Sequence, residues 1–98
     1  MLAVPMFGAT FHEITVPGSQ STAANNINNR FQVVGFFADS SGTHGFLLSQ
    51  GTYKTLNYPT VPNFTVATGI NDADEVVGYF FNTAEHGFID RGGTFTQF

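Results

Sequence analysis

The run VVGFFADSSGTHGF, from Val33 to Phe46, returns as VVGYFFNTAEHGF from Val76 to Phe88. A chain that writes one segment twice at a fixed spacing folds as copies of one supersecondary unit, and no other feature here narrows the architecture as far. Residues 11–52 align with residues 53–94 at an offset of 42, which becomes 43 through the middle, and fourteen aligned pairs are identical. They include Pro17 with Pro59, Asn28 with Asn71, Gly35 with Gly78, and the His-Gly-Phe triplets at 44–46 and 86–88. GATF at 8–11 resembles the end of a unit and FTQF at 95–98 the start of one. Residues 1–98 therefore read as a single all-β unit of two repeats (11–52 and 53–94) with partial repeats at both ends. On this reading the chain is cut from a longer periodic pattern or closes on itself through its ends.

Turn residues divide each repeat into four short β segments. Residues 11–16 and 53–58 alternate in the manner of a half-buried strand and stop at Pro17 and Pro59, which cannot donate to a ladder. Residues 23–28 and 66–71 are small and polar. Residues 32–38 and 75–81 are apolar on both faces, the mark of a strand covered on both sides. Residues 44–48 and 86–90 open with the His-Gly-Phe triplet. Apolar spacing of three and four is nowhere sustained, so no substantial helix is expected. Four antiparallel strands in about 42 residues, one of them buried on both faces, fit a blade of a β-propeller. A single β-sandwich or barrel is the alternative, and a sandwich would bury only one face of that strand.

Composition removes several functions. The formal charge is −4, and Arg30, Lys54 and Arg91 are scattered, so no basic footprint for nucleic acid or an anionic membrane surface exists. Cysteine is absent, which excludes a disulfide framework and thiolate metal sites. No apolar run suggests a spanning helix, and the opening MLAVPMFGA lacks the basic start of a signal peptide. With 42% hydrophobic residues and twelve Phe, the chain is too apolar to stay disordered.

The series Ile-Asn, Val-Val-Gly with two aromatics, a polar loop, His-Gly-Phe and Gly-Thr-aromatic resembles the HAF-type bacterial extracellular repeats over nearly the whole chain. That resemblance implies a secreted or cell-surface all-β protein, typically with more repeats and without an established enzymatic activity. Phe31 and Asp74 stand where members of that family often have Gly in a turn.

His44 and His86 recur in register and, with Phe46 and Phe88, are assigned to the fold of the repeat. Each His is expected to tie a loop to a strand, with Asp39 and Asn82 as the candidate partners; a ring of imidazoles holding a metal is the competing assignment. The oxygen-rich stretches 39–42 and 71–75 do not follow a calcium-loop pattern and are read as turns, so neither a metal nor a cofactor is expected. No Ser-His-acid spacing, phosphate loop or HExxH motif occurs, and no enzyme is expected. Asn28, Tyr53, Tyr58, Asn71 and Tyr79 are the candidate ligand contacts, because aromatic rings stack on sugar faces while amides read hydroxyls; Phe64 belongs to the same aromatic set. Arrays of this kind need about three units for stability, so a homo-oligomer closing a propeller-like ring is expected, three chains giving six blades being one solution. The expected function is that of a structural, self-assembling module, with a glycan-binding module carrying one site per repeat as the alternative.

Overall fold

The computed structural model describes residues 4–6, 9–11, 14–61 and 63–97. They form ten strands and no helix. A short hairpin joins β1 (Val4–Met6) to β2 (Ala9–Phe11). Two four-stranded antiparallel sheets follow, each a meander in chain order. The first holds β3 (Ser21–Ile27), β4 (Val33–Asp39), β5 (Gly42–Ser49) and β6 (Thr52–Leu56). The second holds β7 (Thr65–Ile70), β8 (Glu75–Phe81), β9 (Glu85–Arg91) and β10 (Thr94–Gln97).

The repeat is reproduced down to its irregularities. The β3–β4 ladder slips between Ala24 and Asn26, and the β7–β8 ladder slips at the equivalent place, between Ala67 and Gly69. Gly35 and Gly78 are required beside those bulges: a Cβ on Gly35 would fall on the carbonyl of Ala23, and one on Gly78 on that of Val66. Phe31 (φ 59°) and Asp74 (φ 64°) both take up the left-handed backbone conformation that glycine favours. The turn is therefore the same in both repeats and keeps its geometry without glycine.

One expected element is corrected. Residues 14–16 form no ladder, although their alternation reads as a strand; the part of the expected segment at 12–13 lies outside the described residues. Val16 and Ile14 instead pack on the first sheet, and the chain turns at Pro17-Gly18, where Ser19 N–H bonds the Val16 carbonyl at 3.1 Å and Gly18 has φ 82°. The copy of the segment does form a strand, β6, but as the outer strand of the first sheet, paired with β5. Each sheet thus ends on a strand that the sequence alignment assigns to the next repeat.

Period-two alternation sets the faces. On the first sheet Val33, Phe37 and Phe46 point one way, into a cluster covered by Val16 and Ile14. Val34 and Leu56 point the other way, into a cluster shared with Ala67 and Val76 of the second sheet. Val76 aligns with Val33, not with Val34, so opposite faces of the two repeats meet. The sheets are stacked in the same orientation, one following the other. Phe80 and Phe88 complete the second sheet's inner face, under Val61 and Tyr58.

Candidate functional site

Repetition makes each exposed position comparable with a buried counterpart, and the two ends of the stack stand out. Ala67 on β7 is fully buried under the first sheet, but its equivalent Ala24 on β3 is exposed. Ile27, the counterpart of half-buried Ile70, is 56% exposed. At the opposite end Val77 is 38% exposed, whereas its equivalent Val34 is at 0%. β8 is therefore covered on one face only, against the sequence expectation for both copies of this strand. Its free face also carries Tyr79 and Phe81, with Ile89 beside Val77 on β9.

At the start of β7 and the end of β8, Phe64, Tyr79 and Phe81 gather, the Phe64 ring centroid 6.4 Å from Tyr79 and 6.0 Å from Phe81. Phe64 and Phe81 line an open cavity of about 490 Å³ together with Thr60, Val61, Asn63 and Asn82. The first repeat has Ser21 and Ala38 in place of the two phenylalanines, so this cavity belongs to the second repeat. Phe81 belongs to the 75–81 run expected to be covered on both faces; that the first repeat has the small Ala38 in its place is the sequence signal that it stands apart.

The other candidate ligand contacts do not converge on it. Asn28 and Asn71 meet one another, Asn28 Nδ2 donating to the Asn71 carbonyl at 2.9 Å. Asn28 Oδ1 accepts from the backbone N–H of Arg30 and Gln32, and Asn71 Oδ1 from those of Ala73 and Glu75, so both side chains close their own turns. Tyr53 packs edge-on against Phe46, and its hydroxyl accepts from Thr15 N–H at 3.1 Å. Tyr58 is stacked on Phe80 with centroids 3.9 Å apart. Both rings serve the core.

His44 is buried at the mouth of the β4–β5 hairpin. Its Nδ1 lies 2.8 Å from Asn57 Oδ1, and its Nε2 lies 2.8 Å from Ser41 Oγ and 3.3 Å from Asp39 Oδ1. Ser, His and Asn in this order form the chain of a nucleophile, base and orienting group. Ser41 Oγ, however, donates its single proton to Asp39 Oδ1 at 2.7 Å, and what the network does is clamp the hairpin. The Ser41 hydroxyl, the Ser41 N–H and then His44 hold the Asp39 carboxyl below its ordinary range. His86 repeats the arrangement more openly, with Nε2 at 3.2 Å from Asn82 Oδ1 and Nδ1 at 3.2 Å from Gln97 Nε2. Each imidazole lies 5.2 Å from a Phe ring, of Phe37 or Phe80.

Among the described residues no three His, Asp or Glu side chains gather as a metal site would require, and no helix is long and apolar enough to cross a membrane. No protein-family model, curated protein or solved structure matches the chain.

Proposed function

We propose that this protein is a structural repeat module whose work is to assemble with copies of itself into a propeller-like ring, each four-stranded sheet acting as a blade. The observation that carries this reading is the stacking of the sheets in one orientation, with opposite faces in contact. Such packing leaves two dissimilar faces at the ends, and association through dissimilar faces builds rings or filaments rather than closed two-fold pairs. The HAF-type resemblance, which implies a secreted or cell-surface protein, supports the same reading. Assembly adds stability by mass action, so the thermal midpoint should rise with chain concentration; a midpoint independent of concentration would contradict the reading.

A second reading, glycan binding, is favoured by the cavity that Phe64 and Phe81 line with Asn63 and Asn82, Tyr79 lying against Phe64 beside it. Aromatic faces and amides are the chemistry that holds a sugar ring. On this reading the site lies on the second repeat, and among the described residues the first repeat does not reproduce it. A glycan array tests it: density-dependent binding that is lost on Phe81→Ala supports a lectin role, and binding unaffected by that change removes the cavity from consideration.

A further inference from the structure

The packing between the two sheets of one chain supplies a template for packing between chains. Within the chain, Val34 and Leu56 of the first sheet enclose Ala67 and Val76 of the second. Above this cluster the β3–β4 turn is fastened to the β7–β8 turn. Asn28 Nδ2 donates to the Asn71 carbonyl, and Asn29 donates through its backbone N–H and its Nδ2 to the Asp72 carboxylate at 2.9 and 3.0 Å. Asn25 Nδ2 donates to the Ala67 carbonyl at 2.9 Å.

Part of each half of this contact recurs in an exposed position. Val77 stands for Val34 on the outward face of the second sheet, and Ala24 and Ile27 stand for Ala67 and Ile70 on the β3 face of the first. Ile14, Ala24, Ile27 and Val33, with Asn25 and Asn26, border an open and mainly apolar hollow there, of about 340 Å³. The polar fastening is half-prepared as well. Asn28 spends one amide hydrogen on Gln32 Oε1 and the other across the sheets, whereas Asn71 spends one on Glu75 Oε1 and has no second partner among the described residues.

We propose that the outward face of the second sheet, centred on Val77, docks on the β3 face of a second copy, centred on Ala24 and Ile27, and so continues the inter-sheet packing from chain to chain. The inference rests on the self-assembly reading and assigns its surfaces. Continuity with the internal interface selects the occupant, since the surface that complements each free face is present at the other end of the same chain. One corner is not copied. Gly42, where a Cβ would fall on the Asn63 carbonyl, has Ala84 as its counterpart, and Phe81 replaces Ala38. The docked copies therefore meet along Val77 and the Asn-rich turns, with the cavity lined by Phe64 and Phe81 at the margin.

The chain has no cysteine, which makes a cross-linking test clean. Val77→Cys and Ala24→Cys alter side chains that are partly or largely exposed, so both variants should fold. Mixed and treated with a short bismaleimide, they should give a linked heterodimer as the main product, while each variant alone stays single on a denaturing gel. A chain carrying both changes should give a ladder that stops at the ring size. If Val77→Cys alone links to itself, like faces meet and the inference is overturned. If the mixture does not link although light scattering shows an oligomer, the assigned faces are wrong and the self-assembly reading stands. If the mixture does not link and the chain is a monomer, both fall.

Discussion

Phe31 illustrates how the repeat constrains single residues. It is 80% exposed and holds φ 59°, so its ring gains little from burial while its backbone sits where a Cβ is disfavoured. Phe31→Gly should therefore stabilise the fold by about 1 kcal/mol, read as a higher urea midpoint with an unchanged slope. A lower midpoint would mean that the ring has a packing role. Asp74 is a poorer site for the same change, because its carboxylate pairs with Arg30 at 3.1 Å. Carboxylates also set the response to acid. Asn71 first and Arg91 second hold Glu75 below its ordinary value of 4.5, as Ser41 and His44 hold Asp39 below 3.8. A group depressed in the folded state stabilises it above the unfolded value and ceases to do so as pH falls through the folded one. The urea midpoint should then be lost progressively as pH drops below 4.5, and the double change Asp39→Asn with Glu75→Gln should flatten that loss. An unchanged slope in the double variant would assign the acid response to other carboxylates.

Among the elements, those written most plainly in the sequence are the ones whose environment is local. β4 and β8 lie within a residue of the boundaries read from their apolar runs, and the strands expected to open at His44 and His86 begin two residues and one residue earlier, at Gly42 and Glu85. Asp39 and Asn82 contact these imidazoles because residues four or five apart across a tight hairpin mouth are within reach. Residues 14–16 misled because alternation reports which side chains face a core and not whether a neighbouring strand is there to pair with. For the same reason β6 carries the pattern of one repeat and joins the sheet of the other. The cavity at Phe64 and Phe81 is only partly legible: Phe64 is visible as an aromatic, but the exposure of Phe81 depends on whether a further sheet covers β8. The bulges give this scale its own test. Gly35→Ala should destabilise by about 3 kcal/mol or more, since the methyl meets rigid backbone on β3, whereas Gly51→Ala, with open space around its Cβ, should cost only the strain of its φ of 79°. Equal losses at the two positions would contradict the close approach at the bulge.

For the whole molecule, the two-sheet stack explains why so small a chain has so uneven a surface. Its midsection is sealed: Val34, Leu56, Ala67 and Val76 are each at or below 1% exposure, and no buried side-chain nitrogen or oxygen among the described residues lacks a hydrogen-bond partner. Its ends keep Ile27, Val77 and Phe81 in water. Chains of 98 residues have little stability to spare, so covering those faces adds to what one copy achieves alone. Absolute molar mass in solution, by size exclusion with light scattering, measures this directly. A discrete multiple of 10.6 kDa is the predicted result, and a folded species that stays at 10.6 kDa across micromolar concentrations would contradict the account.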